Sequence, residues 1–326
     1  MRIVPSADVI GASIHDVDLA QPLSAEAFKQ IDSAFNSHAV ICFPQQRLDE
    51  AQLIAFARRF GEVERIFLTQ YSHPQHPEIM FVSNIQVDGR DIGHSDAGRV
   101  WHTDMSYTAR PPRATLLYAL EVPTENGVAL GDTHFASAAD AHDSLPADTQ
   151  QRIANLRAIH QVAGRRARTG TGQWDQAQRR EQPAVVHPVA RTHPYTGRKC
   201  LYVSKGECEG IEGMPKEESL ALIDDLAERI IDPRFRHTHR WQVHDLLMWD
   251  NCTVQHLASF DYQWPQHRRL MHRVTVGGSE TYCAAQLLCT LALRRGPKKS
   301  PRRIPICDIE RHARNTETRS KRSVST

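Results

Sequence analysis

The chain has 326 residues, and its contents of 40% hydrophobic and 24% charged residues are ordinary for a folded protein in water. This composition excludes collagen-like, fibrous and wholly disordered proteins. No run approaches the ~18 apolar residues that cross a bilayer, so we expect no membrane partner. The length allows two domains, but one enzyme domain followed by a tail fits equally well.

The small net charge of +2 conceals a strongly basic C-terminus. Residues 294–326 contain 11 Lys+Arg and 3 Asp+Glu, or +8, which leaves 29 against 35, or −6, for residues 1–293. We therefore expect a domain over residues 1–282 and a basic, disordered tail over residues 283–326. The tail could also be an extension foreign to the rest of the chain, or an arm for nucleic acid or an acidic partner. It carries no aromatic residue for base stacking, which disfavours nucleic acid.

Cysteine and histidine usage narrows the kinds of site to consider. The seven cysteines are odd in number and form no CxxC pair, which argues against a disulfide scaffold or a zinc ribbon. They suit the reducing environment of the cytoplasm. The 18 histidines are an excess, and because histidine is the commonest metal ligand, each cluster of them is a candidate site.

Helix and strand signals alternate in the first 60 residues. Helical patterns predict one helix over Ser24–Ala39 and a second over Asp49–Phe60, with Asp49 as its N-cap and Gly61 at its end. Between the two helices, residues 39–43 predict a short buried strand.

Further helices are indicated in the middle of the chain, with short strands around them. One helical stretch runs over Ser137–His160 with an interruption at Pro146, and another covers Lys216–Ile231 after Pro215. A last short helix could form over residues 283–295. Strands separated by proline and glycine are predicted at residues 79–84, 114–122, 184–191, 199–204, 245–251 and 270–278.

The order of these elements predicts the fold class. Helices come early and in the middle, while short strands return throughout the second half of the chain. This order favours a mainly β fold with flanking helices, built as a double-sheeted sandwich of the jelly-roll kind. A glycine-rich phosphate loop and a GxSxG elbow are both missing from the sequence, which excludes Rossmann, P-loop and α/β-hydrolase enzymes.

Three His-x-Asp/Glu pairs are present, at residues 76–78, 94–96 and 102–104, where 18 histidines and 38 acidic residues predict about two by chance. In an extended segment, residues i and i+2 point to the same side, so the imidazole and the carboxylate can converge on one metal ion. The pair at 94–96 lies in a glycine-rich run that is typical of a mobile loop. His102 and Asp104 are flanked by aromatic residues that could wall a pocket, which favours this pair.

A later part of the chain, residues 245–273, supplies a candidate third metal ligand and two arginines. One histidine and one carboxylate are part of the triad that holds non-heme Fe(II) and leaves coordination positions open. After the apolar strand at residues 245–251 comes His256, a candidate third ligand. Arg269 and Arg273 are four residues apart, so both face one side of a strand, and guanidinium groups bind carboxylates through two parallel hydrogen bonds. Open metal positions beside a carboxylate anchor indicate an oxo-acid cosubstrate.

Five motifs, taken in order from about residue 2 to Tyr282, resemble the taurine dioxygenase/2,4-dichlorophenoxyacetate dioxygenase (TauD/TfdA) family. The resemblance implies a double-stranded β-helix core and an enzyme that uses Fe(II), 2-oxoglutarate and O2, with release of succinate and CO2. It also implies a homo-oligomer. The motifs are Trp101-His102-Thr103-Asp104, Gly131-Asp132-Thr133, His187-Pro188-Val189 to Arg191-Thr192-His193-Pro194, Met248-Trp249-Asp250-Asn251 to His256, and Arg268-Arg269-Leu270-Met271-His272-Arg273.

The resemblance also implies roles for individual residues. Fe(II) would be held by His102, Asp104 and His256, which are thereby the catalytic residues. The distal carboxylate of 2-oxoglutarate would be bound by Thr133 and Arg269. The spacing from the third ligand to the arginines is about two residues longer than in taurine dioxygenase, and we expect the extra length to lie in a loop.

Substrate recognition is implied less directly. Arg273 would reach the acidic group of the primary substrate, and Met105 and Tyr71 are further candidate contacts. The segment before the metal motif departs from the taurine enzyme, so the expected substrate is a sulfonate, a sulfate ester or an aryloxy or alkyl carboxylate rather than taurine. An amino acid or a carrier-bound intermediate is the first alternative. A non-enzymatic metal-binding protein is an alternative of another class.

Several of these residues also have a purely structural interpretation. His102 and Asp104 could be a structural pair, Thr133 could be a strand residue without a ligand, and Arg273 could serve an ion pair. Other histidines are expected to be structural or on the surface, namely His94, His187, His193 and His272.

Overall fold

The computed structural model of the chain describes residues 1–65, 68–162 and 182–283. In these residues, the helices are α1 (Ala25–His38), α2 (Glu50–Arg58), α3 (Ala138–Asp143), α4 (Ala147–Ile153) and α5 (Lys216–Ile230). The strands are β1 (Arg2–Pro5), β2 (Ala12–His15), β3 (Val40–Phe43), β4 (Ile79–Ser83), β5 (Gln86–Val87), β6 (Arg90–Asp91), β7 (Ala114–Glu121), β8 (Thr124–Glu125), β9 (Val128–Ala129), β10 (Thr133–Ser137), β11 (Arg157–His160), β12 (Val185–Pro188), β13 (Ala190–Thr192), β14 (Lys199–Leu201), β15 (Cys208–Ile211), β16 (Arg236–His239), β17 (Leu246–Asp250), β18 (Val254–Ala258) and β19 (Leu270–Val276).

The first two helices begin where the sequence predicts. Ser24 caps α1 by accepting a hydrogen bond from the backbone N–H of Ala27. Asp49 caps α2 in a reciprocal arrangement, because its side chain accepts from the backbone of Gln52 while the Gln52 side chain accepts from the backbone of Asp49. Each cap satisfies amide donors that the first helical turn leaves unpaired.

A seven-stranded sheet forms the main scaffold, in the order β1-β2-β3-β17-β7-β19-β4. Its central strands are buried on both faces. In β17, Leu246 and Met248 pack on the side of α1 and α2, whereas Leu247 and Trp249 point to the opposite side. Burial on both faces explains why these strands appear in the sequence as continuous apolar runs rather than as alternating patterns.

A smaller sheet, β16-β10-β18, lies against the inner face of the large sheet. The two sheets share one apolar cluster, which joins Phe135 and Val254 of the small sheet to Leu117, Leu247 and other residues of the large one. The β-sandwich with external helices is therefore confirmed. The inner face of the sandwich is where the candidate ligands lie.

A third layer covers the other end of the molecule, and here one predicted helix was wrong. The stretch over residues 137–160 is not one interrupted helix, because α3 and α4 are followed by β11, whose last residue is His160. Strand β11 pairs with β12 and β15. This long-range pairing satisfies the backbone N–H and C=O groups of β11 and overrides the helix preference of the local sequence. Helix α5 packs on this layer through Leu222, Ile223 and Leu226.

No helix within the described ranges is long and apolar enough to cross a membrane. The short helix predicted from residue 283 and the basic tail lie outside the described residues, apart from residue 283 itself.

Candidate metal and cosubstrate site

The backbone places the two candidate histidine ligands side by side. The N–H of His102 donates to the carbonyl oxygen of His256 at 3.2 Å, and the N–H of His256 donates to the carbonyl oxygen of His102 at 2.8 Å. The two rings lie 4.2 Å apart, centroid to centroid. Residues 154 positions apart in the chain therefore present neighbouring imidazoles because one isolated bridge pairs the segment at His102 with β18.

Asp104 completes a set of three candidate ligand atoms. Its Oδ1 atom lies 3.7 Å from Nε2 of His102 and 3.9 Å from Nε2 of His256. Its Oδ2 atom accepts a hydrogen bond of 2.6 Å from the hydroxyl of Thr115, which in turn accepts from the side-chain amide of Asn251 at 3.0 Å. Thr115 thus occupies one carboxylate oxygen and leaves the other facing the imidazoles.

The protonation states fit a cation. Nδ1 of His102 lies 2.8 Å from the carbonyl oxygen of Val100, so Nδ1 carries the hydrogen and Nε2 presents a lone pair to the centre. Burial, together with the neighbouring His102, lowers the pKa of His256 to about 3, which keeps this ring neutral near pH 7. Burial alone would raise the pKa of Asp104, but Arg273 and the two imidazoles outweigh it and leave the pKa well below its usual value. The set offers two imidazole nitrogens and one carboxylate.

Arg273 lies against this set. Its guanidinium contacts Oδ1 of Asp104 at 3.0 Å, and its buried Nε has no hydrogen-bond partner. The predicted ion-pair alternative is thus present in geometry, but it involves a candidate metal ligand rather than a distant carboxylate. An arginine in this position is close enough to the metal centre to hold an acidic group next to it.

Thr133 and Arg269 are connected through Trp241. The indole Nε1 donates to the hydroxyl of Thr133 at 3.0 Å, and the Arg269 guanidinium lies 6.0 Å from the centre of the Trp241 ring. Arg269 is 3% exposed, and its Nε is buried without a partner. A buried guanidinium that lacks a carboxylate is a receptor for an anionic group.

The loop between β18 and β19 closes one side of this arginine. The extra length expected after His256 does fall in this loop. The hydroxyl of Tyr262 lies 3.5 Å from the guanidinium of Arg269, and a Cβ on Gly131 would come within 2.9 Å of the Tyr262 ring. Gly131 has a φ of 79°, so both its backbone conformation and its surroundings favour glycine.

The two weaker substrate candidates occupy different positions. Tyr71 ends a short 3-10 turn (Thr69–Tyr71), and its ring packs edge-on against His94 at 5.3 Å. Met105 directly follows a candidate ligand and has a φ of 48°, in a turn that its carbonyl oxygen closes with Thr108. Both side chains are half-buried.

The glycine-rich loop at His94 is held against the sheet. The glycine-rich run around it was predicted to be a mobile loop, but the backbone N–H of His94 donates to the carbonyl oxygen of Phe81 in β4 at 2.8 Å. A Cβ on Gly93 would come within 2.7 Å of the same carbonyl oxygen, so only glycine permits this close approach. Burial, with a smaller effect of Arg273, lowers the pKa of His94 to about 4. Gly93 therefore allows this segment to pack closely against the sheet.

Two further groups contain metal-ligating residue types. In one group, Nε2 of His193 contacts Asp250 at 2.6 Å and Nδ1 accepts from the backbone N–H groups of Tyr195 and Thr196. Both ring nitrogens are therefore already engaged. In the other group, Cys42 lies with His239 and Asp245, and burial raises the pKa of its thiol well above the usual value, which opposes formation of the thiolate ligand.

The sequence and the fold are similar to those of known dioxygenases over most of the chain. The chain matches the family model described as taurine catabolism dioxygenase TauD, TfdA family, over residues 2–275. It is 33% identical over 262 residues to the alpha-ketoglutarate-dependent 2,4-dichlorophenoxyacetate dioxygenase of Cupriavidus pinatubonensis, an alignment that covers 77% of this chain and 90% of that protein.

A biosynthetic enzyme and a solved structure are similar to a comparable degree. Pentalenolactone F synthase of Streptomyces arenae is 31% identical over 279 residues, which cover 81% of this chain and 91% of that one. The crystal structure of AAD-2 in complex with Mn(II) and N-oxalylglycine superposes with a TM-score of 0.74 at 29% identity, and covers 86% of this chain and 97% of that one.

Proposed function

We propose that this chain, which belongs to the TauD/TfdA family and is an Fe(II)- and 2-oxoglutarate-dependent dioxygenase, hydroxylates a small organic acid bound beside Arg273. The observation that carries the proposal is the convergence of two imidazole nitrogens and one oriented carboxylate oxygen next to an arginine. We also expect the enzyme to act in the cytoplasm as a homo-oligomer, as its cysteine usage and the family resemblance imply.

Within this proposal, His102, Asp104 and His256 hold the iron. Bound there in the presence of 2-oxoglutarate and O2, iron would supply the oxidising chemistry for substrate hydroxylation. The chain's contribution is orientation: the carbonyl of Val100 fixes the tautomer of His102, and Thr115 fixes the rotation of the carboxylate. Such supporting contacts raise ligand basicity and hold the ligand geometry.

Thr133 and Arg269 are proposed to hold the distal carboxylate of 2-oxoglutarate. The support is the buried, unpartnered Nε of Arg269 and the link from Trp241 to the Thr133 hydroxyl. The same pocket is walled by the rings of Trp241 and Tyr262, which exclude water and strengthen the interaction between the two opposite charges. The relative that was crystallised with N-oxalylglycine, an analogue of 2-oxoglutarate, supports this assignment.

The primary substrate is proposed to place its acidic group at Arg273 and its body near Tyr71, Met105 and His94. His94 adds no positive charge near neutrality because its pKa is lowered by burial, so Arg273 provides the positive charge at this point. A half-buried aromatic and a methionine suit an apolar body attached to the acid. Aryloxy or alkyl carboxylates, sulfonates and sulfate esters share this pattern, and the Cupriavidus pinatubonensis relative is named for an aryloxy carboxylate, 2,4-dichlorophenoxyacetate.

The direct test is spectroscopic and anaerobic. Fe(II) and 2-oxoglutarate are added to the wild type and to His102→Ala, and the weak visible charge-transfer band of the chelate is recorded. We expect the band in the wild type and its loss in the variant. His272→Gln is the matched control, because its ring packs against Phe81 on the other face of β19 and should leave the band intact. A wild-type protein without the band would contradict the proposed ligand set.

Substrate class is tested separately. Succinate formation is measured across aryloxy acids, alkyl carboxylates, sulfonates, sulfate esters and amino acids, in the wild type and in Arg273→Gln. For an organic acid, we expect substrate-dependent succinate in the wild type and a KM raised at least about tenfold in the variant, since one charged hydrogen bond contributes about 1.5 kcal/mol or more. Turnover with amino acids alone would instead favour the alternative substrate class.

A further inference from the structure

A second buried arginine lies away from the proposed iron site and keeps two unsatisfied donors. Arg191 in β13 is 2% exposed, and both its Nε and its Nη1 atoms are buried without a hydrogen bond. No carboxylate within the described ranges lies within ion-pair distance of it. Its guanidinium packs instead over the ring of Tyr202, at 4.9 Å from the ring centre. Leaving a buried cation without acceptors is costly, so such a group is normally paired.

The nearest carboxylate cannot serve as that acceptor. Asp250 raises the pKa of Arg191, which places its charge nearby, but its oxygens are already occupied. One oxygen is 2.6 Å from Nε2 of His193, and the other accepts from the backbone N–H groups of Cys252 and Thr253. The negative charge is therefore close to Arg191, whereas the hydrogen-bond acceptors are not available.

Arg191 lines a cavity of about 130 Å³, together with the hydrogen-bonded carboxylate of Asp250 and the exposed residues Tyr195 and Ser279. A water molecule in the liquid takes about 30 Å³, so the cavity holds about four waters or one anion of four non-hydrogen atoms. A second arginine, Arg113, also lines it and stacks on the ring of Tyr195 at 3.8 Å. Arg113 is neutralised by Asp32 at 2.7 Å, but its Nε too is buried without a partner.

We propose that this cavity, lined by Arg191, Arg113, His193, Tyr195 and Ser279, binds a small planar oxyanion such as acetate, bicarbonate or nitrate. The guanidinium of Arg191 keeps two buried N–H groups, at Nε and Nη1, that can donate to the oxygens of an anion. Thr133 and Arg269 do not line this cavity, so its ligand is distinct from the 2-oxoglutarate proposed to bind at those residues. The site requires no metal, so it stands or falls independently of the proposed function.

The test uses the full-length, metal-free chain and measures its thermal midpoint against sodium acetate at constant ionic strength. Acetamide, which has the same shape without the charge, is the matched ligand control. We expect the midpoint to rise by about 3 °C at an acetate concentration ten times the Kd, and acetamide to have no such effect. Arg269→Gln controls for acetate binding in the cosubstrate pocket and should keep the response.

Two variants locate the effect at the cavity. Arg191→Gln should abolish the acetate response. Ser279→Glu keeps the arginine and places a carboxylate at the cavity mouth, so it should raise the midpoint without ligand and flatten the response; it carries the test if Arg191→Gln does not fold. The proposal is overturned if acetate and acetamide act alike, if Arg269→Gln removes the response, or if Ser279→Glu responds as the wild type does.

Discussion

In two regions of the described structure, a histidine lies beside an aspartate and an arginine is nearby, yet the groups left unsatisfied are opposite. At Asp104, the carboxylate is paired with Arg273. The Nε2 atoms of His102 and His256 face this carboxylate at 3.7 and 3.9 Å, which is too far for a hydrogen bond. At Asp250, the carboxylate and His193 are fully hydrogen-bonded and the neighbouring arginine is left unpaired. The first region therefore suits a cation, and the second suits an anion.

The difference shows that residue type alone does not identify a metal site. His193 is in a sequence motif as well defined as that of His102, and both lie beside a buried carboxylate. The two histidines differ in the hydrogen bonds made by Nδ1. Nδ1 of His102 donates to a carbonyl, whereas Nδ1 of His193 accepts from two backbone amides. A donor at Nδ1 leaves Nε2 with a free lone pair, and an acceptor at Nδ1 requires Nε2 to carry the hydrogen.

The largest expected effect comes from replacing the histidine of the first region. His256→Leu removes a proposed ligand of the iron but no side-chain hydrogen bond, because its Nδ1 has no partner. We expect Fe(II) affinity to fall by more than about 100-fold, the upper effect of losing a group that only orients a ligand, and turnover to fall to background. Unfolding free energy should change by less than about 1.5 kcal/mol, since the volume is nearly conserved. Retained Fe(II) binding would contradict the ligand assignment.

Replacing the histidine of the second region by leucine should lower the stability of the fold and leave iron binding unchanged. His193→Leu removes a charged hydrogen bond to Asp250 and leaves two backbone amides without an acceptor. We expect unfolding free energy, measured in denaturant, to drop by about 3 kcal/mol or more, because a buried charge loses its partner. The Fe(II) stoichiometry should stay as in the wild type. A stable variant that binds less iron would show that the second region, not the first, holds the metal.

Most of the scaffold could be predicted from the sequence because its signals are local. The caps of α1 and α2 and the apolar runs of the central strands depend on neighbouring residues, and each formed as expected. The helix predicted to continue to His160 failed because pairing with strands far along the chain overrides local helix preference. The order of helices and strands along the chain was sufficient to predict a sandwich of the jelly-roll kind.

The candidate site could be predicted only through its motifs. The spacing of His102 and Asp104 is visible in the sequence, but their juxtaposition with β18 depends on a long-range bridge. His94 was expected to be structural or on the surface, but its glycine-rich surroundings do not reveal the close packing of this segment on β4. The unpaired state of Arg191 depends on which acceptors other residues have already taken, and no pattern in the sequence records this.

A smaller effect is expected when the Asp104 carboxylate loses the hydrogen bond that orients it. Thr115→Val removes the hydroxyl that holds Oδ2 of Asp104 at 2.6 Å and also takes an acceptor from Asn251. The carboxylate can then rotate towards Arg273, so we expect Fe(II) affinity to fall about 10- to 100-fold. Thr115→Ser restores the hydroxyl and should recover most of the affinity. Equal affinity in Thr115→Val and the wild type would mean that Arg273 alone orients the carboxylate.

The smallest effect we expect is acid sensitivity in the second region. Burial, with smaller effects of His187 and Arg191, lowers the pKa of His160 to about 3 from an ordinary value of 6.5. Because the unfolded chain takes up this proton below about pH 6.5 and the folded chain does not, stability is lost as the pH falls from 6.5 towards 3. Between pH 6.5 and pH 5 this one residue should cost about 2 kcal/mol, at about 1.4 kcal/mol per pH unit. In metal-free protein, His160→Phe should therefore lose about 2 kcal/mol less than the wild type between pH 8 and pH 5, whatever constant packing difference separates the two at pH 8. Parallel pH profiles would mean that this ring takes up its proton in the folded protein, which an unpaired cation at Arg191 opposes.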